Sequence, residues 1–282
     1  MRIILSRKGF DTAAGGCPSP VFPDGSLLAL PIPDPRSTIP YSAIRWRGLN
    51  LGTLVTELTG NPAMANQGAH LDPDLIRESY LRQPDWRPLL GQTGAAQSHL
   101  RNQGVDVGDL FLFFGLFREV MRTEEGWRFV SEARPFHALW GWLQIGAMHK
   151  VDELADNELA WARYHPHFRM EADPRNTLYV ARKNIQLNGK TGKTPAAGVF
   201  PTLTERLRLT APDASSPTRW LLPSFFYPKK GRPPLSYHHK RQRWQQTRKG
   251  CRLQAVARGQ EFVLDGNAYP EAGDWLLDLL AG

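Results

Sequence analysis

An aspartate near the start of the sequence lies where a carboxylate could take part in a reaction. Asp11 falls in a glycine- and proline-rich loop, residues 9–20, directly after a short apolar segment. Such loops make tight turns or bring the backbone close to a ligand. A carboxylate there could stabilise positive charge at a sugar carbon or activate a water molecule. Its neighbours Arg7, Lys8 and Phe10 are candidates to contact the same ligand.

Two further carboxylates stand close together in the segment Ala-His-Leu-Asp-Pro-Asp-Leu, residues 69–75. The proline after Asp72 predicts a helix over Pro73–Arg82, because proline is common in the first turn and aspartate at the N-cap. In this interpretation Asp72 and Asp74 complement the positive end of the helix dipole, which is the more frequent use of such residues.

Amide side chains are concentrated in residues 91–104. Asn and Gln offer paired donors and acceptors that match the Watson–Crick edge of a base. A helix is predicted over Gly94–Gln103, and Gln92, Gln97 and Gln103 cannot all share one of its faces. Base recognition and helix capping therefore both remain open for the polar side chains of this cluster, which are Gln92, Gln97, His99, Asn102 and Gln103.

The net charge of +8 is spread unevenly along the 282 residues. Residues 214–260 contain eleven Lys and Arg and no Asp or Glu, so the rest of the chain has 24 basic against 27 acidic residues. Lys and Arg that alternate with Tyr, Trp and His favour phosphate neutralisation and base stacking over the alternative of a solvated loop. A DNA-contacting segment is therefore predicted at about 219–258, with contacts from Lys229, Lys230, Arg232, Tyr237, His238, Lys240, Arg241, Arg243, Trp244, Arg248 and Lys249.

Several classes of protein are disfavoured. The first eight residues have only three consecutive apolar residues, and the longest apolar run, Leu110–Phe117, is less than half of the roughly 20 residues that a membrane span needs. Two cysteines without C-x-x-C spacing fit a reducing cytoplasm. Residues 188–194 lack the first glycine of a phosphate-binding loop, and no dinucleotide-binding glycine motif occurs. We expect a cytoplasmic protein without a membrane segment.

Histidines occur in two close pairs, His165-Pro-His167 and His238-His239. Zinc sites combine histidine with cysteine or carboxylate at characteristic spacings. Neither pair has such a neighbour in sequence, so the histidines are predicted to lie on the surface. The sequence therefore predicts no metal site.

The pattern of the remaining elements favours an α+β fold. Aromatic and β-branched runs predict strands at Arg2–Ser6, Asp109–Arg118, Trp127–Glu132, Ala138–Met148, Thr177–Asn184 and Glu261–Leu264. An acidic helix is predicted over Val151–Ala162 and a closing amphipathic helix over Ala272–Leu280. Because no βαβ repeat is present, we expect one domain over 1–282, with a mixed, largely antiparallel sheet flanked by helices. Its strand-rich middle, 108–184, could form a small barrel.

At this point several motifs resemble the third of the nucleotide modification associated domains, a family found with DNA base-modification and phage-conflict systems. The motifs are long and cover nearly the whole chain: Ile3–Asp11, Gly15–Pro20, Asp24–Gly25, His70–Leu75, Gly94–Gln97, Asn102–Gly104, Gly108–Gly115 and Ala257–Phe262. The resemblance implies a DNA partner, double-stranded and carrying an unusual base. It leaves three activities open, which are removal of the base, its installation or tailoring, and recognition without catalysis.

Removal of the base fits these residues best. A DNA glycosylase extrudes the nucleotide and stabilises an oxocarbenium-like sugar with one carboxylate, and it needs no cofactor. Installation usually needs a donor, for which no binding loop is recognisable. The hypothesis is thus a monofunctional glycosylase acting in antiphage defence, with Asp11 or Asp72 as the catalytic carboxylate. The substrate-binding candidates are Arg7, Lys8, Phe10 for stacking, Gln97, His99, Asn102 and Gln103.

Overall fold

The structure, a computed structural model, describes residues 1–187, 189–256, 259 and 261–281. Within these ranges the α-helices are α1 (Leu51–Thr59), α2 (Gly94–Asn102) and α3 (Glu271–Leu280). The strands are β1 (Arg2–Arg7), β2 (Ser19–Val21), β3 (Arg45–Trp46), β4 (Leu49–Asn50), β5 (Leu89–Gln92), β6 (Leu110–Thr123), β7 (Gly126–Phe129), β8 (Phe136–Lys150), β9 (Thr177–Ala181), β10 (Asn184–Leu187), β11 (Lys190–Pro195), β12 (Ala197–Val199), β13 (Arg219–Leu222), β14 (Trp244–Thr247), β15 (Gly250–Gln254) and β16 (Glu261–Asp265). None of the described helices is long and apolar enough to cross a bilayer.

Nine strands form the central mixed sheet. Its main path runs β16-β1-β6-β8-β9-β5, while β2 and β7 pair with β6 and β12 pairs with β8. β1 and β2 lie parallel to β6, and the other pairs are antiparallel. The predicted single α+β domain with a largely antiparallel sheet is therefore confirmed, but the sheet is open at β16 and β5 and does not close into a barrel.

The long apolar run of the sequence becomes the middle of this sheet. Residues 110–117 of β6 are all buried, because both faces of the strand are covered. Alternate side chains enter two different cores: Leu110, Leu112 and Phe114 face one, and Phe111 and Phe113 face the other.

The basic segment is folded and is not a solvated loop. Its strands β13, β15 and β14 form a separate antiparallel sheet in that order. Trp220, Trp244 and Leu253 bury their side chains in the same core as β1 and α3. Arg258, at the end of the segment, lies outside the described residues, as do Ala257 and Gln260 of the last family motif.

Most predicted strands and two predicted helices are confirmed, but two helix predictions are wrong. In place of a helix over Pro73–Arg82, the chain is extended, with a single 3-10 turn at Arg77–Ser79. Asp74 pairs with Leu89 through two backbone hydrogen bonds, so tertiary contacts override the local helix signal. Asp72 is therefore not an N-cap.

The acidic segment Val151–Ala162 contains only two 3-10 turns, Val151–Glu153 and Ala160–Ala162. The Glu158 carboxylate accepts a hydrogen bond from the backbone N–H of Ala155. Local bonds of this kind compete with the helical ladder.

Two buried histidines are expected to make folding sensitive to acid. Burial lowers the pKa of His137 to about 3 and that of His238 to about 4. Both are neutral in the folded state at pH 5, whereas the unfolded chain protonates them below about 6.5. The contribution of these two histidines to stability is therefore fully present above pH 6.5 and falls with decreasing pH, by about 2 kcal/mol for each histidine at pH 5.

The test is urea unfolding of wild type, His238→Gln and His239→Gln between pH 5 and 7. His238→Gln is expected to flatten the slope of unfolding free energy against pH by about 1.4 kcal/mol per pH unit. The exposed neighbour provides the matched control and should keep the wild-type slope. Equal slopes in all three proteins would contradict the claim that His238 is neutral in the folded state at pH 5.

Candidate functional site

Strand ends of the central sheet meet at a polar cavity of about 660 Å³. Lys8 follows the end of β1, and Gly91 and Gln92 are the last two residues of β5. Gln92 pairs with Thr177 at the start of β9, so the segment before β9, which carries His167, reaches the same place. The segment before β5 supplies Asp72.

Asp72 is the central carboxylate of the cavity, with a side chain 3% exposed. Its Oδ1 atom accepts a 2.6 Å hydrogen bond from the backbone N–H of Gly91 and lies 3.2 Å from Nε2 of His165. Burial alone would raise the pKa of Asp72, but His165, Lys8 and His167 outweigh it and hold this pKa well below its usual range. Asp72 is therefore ionised at neutral pH.

The other oxygen of Asp72 faces two imidazoles. Oδ2 lies 3.8 Å from Nε2 of His70 and 3.9 Å from Nε2 of His167. On the far side of each ring, Nδ1 of His70 is 2.8 Å from Asp34 Oδ2, and Nδ1 of His167 is 2.6 Å from Asn176 Oδ1. Each ring is thus fixed by an acceptor behind it and directed at Asp72.

His165 completes the cluster but lacks a hydrogen bond at one nitrogen. Its side chain is fully buried, and Nδ1 accepts a long 3.4 Å hydrogen bond from the backbone N–H of His167. Nε2 lies close to Asp72 Oδ1, but the direction is unsuitable, so this atom has no hydrogen-bond partner within the described ranges. Desolvation lowers the pKa of the adjacent His167 to about 4.

Gly91 allows the strand and the imidazole to approach each other. A Cβ atom at this position would lie 2.2 Å from Cδ2 of His167, far inside contact distance. Glycine fits at this position because it has no side chain. Its backbone N–H donates a hydrogen bond to Asp72.

Replacing Gly91 by Ala is expected to displace His167 and to destabilise the fold by about 1–3 kcal/mol, the usual cost of overpacking. Urea unfolding measures the loss. The matched control is Gly192→Ala in the exposed strand β11, where the nearest atom would lie at 3.5 Å. Equal stability of the two variants would show that the strand and the ring are not in close contact.

A second buried carboxylate holds the lysine of the cavity. Glu261 accepts hydrogen bonds from Ser6 and from the Gln92 amide, and its Oε1 lies 3.6 Å from Nζ of Lys8. Burial raises the pKa of Glu261 despite these partners. Lys8 is thereby kept beside Asp72, whose negative charge it stabilises.

Asp11 also lines the cavity, but its oxygens are used locally. Oδ1 accepts hydrogen bonds from the N–H groups of Ala13 and Ala14, and Oδ2 forms a 2.6 Å ion pair with Arg7. The structure thus brings Arg7, Lys8, Asp11 and Asp72 to one cavity. The carboxylate with the more unusual surroundings is Asp72.

The predicted base-reading residues are not brought together. Phe10 is fully buried and contacts Tyr41 edge-on, so it cannot stack on a base. Gln97 is buried and accepts a hydrogen bond from the Tyr179 hydroxyl, which makes it structural. Asn102 and Gln103 are exposed at the end of α2, outside the cavity lining.

His99 differs from these residues because it supports an exposed aromatic side chain. Its ring stacks on Tyr237 with 4.3 Å between centroids, and its Nε2 lies 3.0 Å from Ser236 Oγ. Tyr237 is 44% exposed. Tyr237 is also a neighbour of Gly259, because a Cβ atom built on Gly259 would lie 3.7 Å from the tyrosine ring. Gly259 lines the cavity. This places an aromatic face near the cavity.

Apart from Tyr237, the residues of the predicted DNA-contacting set differ in burial and in charge pairing. His238 and Trp244 are buried, and Trp244 donates a hydrogen bond to the His238 carbonyl, so both belong to the core. Acids from elsewhere in the chain neutralise part of the segment: Glu271 pairs with Lys229 and Arg232. Arg243 is half-buried and donates to a backbone carbonyl. The exposed basic residues that have no carboxylate within ion-pair distance in the described structure are Lys230, Lys240, Arg241, Arg248 and Lys249.

The surface assignment of His165, His167 and His238 is wrong, since all three are buried. His165 and His167 are far from Asp72 along the chain, so the sequence alone did not indicate that these side chains lie close together. A local signal was nevertheless present: His70 and Asp72 stand two positions apart, a spacing that places both side chains on one side of an extended chain. No local pattern indicates Asp34, Asn176 or Glu261. They contact His70, His167 and Lys8 only because folding brings these side chains together.

Comparison with known proteins agrees with the motif resemblance. A sequence model of nucleotide modification associated domain 3 matches residues 2–265, a range that includes every residue of the cavity. No curated protein and no solved structure matches the chain.

Proposed function

The chain belongs to the nucleotide modification associated domain 3 family, and on this basis we propose that it is a DNA glycosylase that excises a modified base. Family membership supports a role in nucleotide modification systems. The observation that carries the finer proposal is Asp72, an ionised carboxylate at the inner wall of a cavity large enough for a nucleotide base. The biological role proposed is defence against phage DNA.

The proposed reaction is a hydrolysis at the sugar. The C1′–N bond breaks, and its electron pair leaves with the base while positive charge develops at C1′. The ionised carboxylate of Asp72 stabilises this charge and orients a water molecule. The water oxygen bonds to C1′, and a proton is released to the leaving base. The products are the free base and an abasic site.

Two other features support an extruded nucleotide. Arg7, Lys8 and Arg36 line the cavity, where they pair with Asp11, Glu261 and Asp34, and a phosphate that enters the cavity would compete with these carboxylates for them. Tyr237, held by His99, offers the exposed aromatic face for stacking that Phe10 cannot offer. Base extrusion needs both a pocket and such a stacking partner.

The test is incubation of phage DNA that carries glycosylated or otherwise modified cytosine, followed by detection of alkali-labile sites. Wild type and Asp213→Asn, a matched change in an exposed carboxylate that pairs with Arg252, should both produce them. Unmodified DNA should remain intact. An altered base mass upon addition of a donor would instead indicate a tailoring enzyme, and tight binding without breakage a reader. Either result would overturn the glycosylase proposal.

DNA binding through the exposed basic residues is a separate prediction. Lys240 and Arg241 are both exposed, and each phosphate contact contributes about 0.9 to the slope of log K against log salt. The double substitution K240A/R241A is expected to reduce this slope by about 2. The matched control is K190A/K193A on the exposed hairpin strand β11, which should keep it. An unchanged slope in the first variant would remove the segment from the DNA footprint.

A further inference from the structure

We propose that His70, Asp72 and His167 bind a divalent transition-metal ion of the zinc class. The ligand atoms are Nε2 of the two imidazoles and one carboxylate oxygen, and all lie within 4.8 Å of one another. Ligands about 2.0–2.1 Å from a tetrahedral Zn²⁺ stand about 3.3 Å apart. The two N···O distances of 3.8 and 3.9 Å would shorten by about 0.5 Å on binding.

The hydrogen bonds fix which ring nitrogens carry the lone pairs. Asn176 Nδ2 donates to the His167 carbonyl, so its Oδ1 faces the imidazole and must accept from Nδ1–H. Asp34 can only accept from Nδ1–H of His70. In each ring the neutral form therefore leaves Nε2 unprotonated, and neither Nε2 atom makes a hydrogen bond within the described part of the chain.

Three acceptors thus converge: two imidazole lone pairs and the Oδ2 atom of Asp72. The other carboxylate oxygen is held by the Gly91 N–H, which leaves Oδ2 free as a single ligand. Converging acceptors repel one another unless a cation lies between them. A metal ion would provide that cation.

The surrounding residues match those of known metal centres. Metal-bound histidines usually donate their second ring N–H to a carboxylate or carbonyl, as His70 does to Asp34 and His167 to Asn176. A second observation lies beside the same carboxylate: the buried Nε2 of His165 is 3.2 Å from Asp72 Oδ1 and lacks a hydrogen-bond partner among the described residues. His165 could stabilise Asp72 further once the carboxylate moves toward a metal ion.

Three protein ligands leave at least one coordination position open toward the cavity, as in catalytic rather than structural sites. A water molecule bound there would be a stronger nucleophile than free water. The proposal concerns metal binding by the free protein, so it does not depend on the identity of the substrate or on glycosylase activity.

The experiment uses the full-length, tag-free chain, treated with chelator and then titrated with Zn²⁺ by calorimetry and with Co²⁺ by visible absorption. Wild type is expected to bind one ion per chain and to give the d–d bands of a low-coordinate Co²⁺ site. His70→Gln and His167→Gln should each weaken Zn²⁺ binding by more than 100-fold. Asp34→Asn, which keeps all ligands, should weaken it by about 10–100-fold. His239→Gln, an exposed control, should bind as wild type does.

Unfolding temperatures of all variants establish that binding is compared between folded proteins. If His167→Gln fails to fold, Asp34→Asn and His70→Gln still decide the question. Less than a tenth of an equivalent of Zn²⁺ or Co²⁺ in wild type would overturn the proposal. Equal affinity in wild type and His70→Gln would also overturn it. Both outcomes leave the product analysis of modified DNA unaffected.

Discussion

Asp72→Asn is expected to reduce abasic-site formation on modified DNA by about 10²–10⁴-fold, the range associated with a positioned acid–base or charge-stabilising group. In the proposed reaction the ionised Asp72 would offer negative charge to the sugar, and the amide cannot provide it. The measurement is a single-turnover rate at a temperature where both proteins are folded.

The matched comparison is Asp11→Asn, the same chemical change in the second carboxylate of the cavity. Asp11 is engaged by Arg7 and by two backbone N–H groups, which is the pattern of a residue that shapes its loop. We therefore expect a much smaller loss of rate. A larger loss in Asp11→Asn than in Asp72→Asn would assign the chemistry to Asp11.

Arg82→Met is expected to destabilise the fold by about 3–5 kcal/mol, the usual cost of removing one partner of a buried ion pair. The Arg82 guanidinium lies 2.7 Å from Asp74 Oδ1, and the two side chains are 2% and 0% exposed. It is also enclosed by the rings of Tyr80, Trp86 and Tyr164. Without Arg82, Asp74 would be a buried carboxylate without a counter-charge.

The control is Arg122→Met, which removes an exposed ion pair with Glu57 and should cost at most about 1 kcal/mol. Urea unfolding compares both variants with wild type. Similar losses would contradict the assignment of a buried, essential pair. Asp74 stands two residues from Asp72, so this pair lies in the segment that carries the cavity carboxylate.

The sequence predicted the strands of this fold better than its site. The apolar runs of β6, β1 and β16 are local patterns that predict strands, and the structure confirms them. The segment after Asp72 contained a good helix-start signal that failed, because Arg82 and Leu89 fix Asp74 in an extended chain. Local signals could not reveal those contacts.

The candidate site could be predicted only in part for the same reason. Lys8, Asp11 and Asp72 were identified, since their residue types and loop positions are chemically unusual. Phe10 had the same local appearance but is used in the core. His165 and His167 reach Asp72 from almost a hundred residues away along the chain, and the pairing of β5 with β9 brings them there.

The most direct test of the central claim, that the cavity around Asp72 receives the modified nucleotide, is an experimental structure of Asp72→Asn bound to a DNA duplex with one modified cytosine. The expected result is an extruded nucleotide whose base lies in the cavity beside His70 and His167, with Tyr237 stacked against the DNA or the base. A base that stays paired in the duplex, or that binds away from this cavity, would contradict the account.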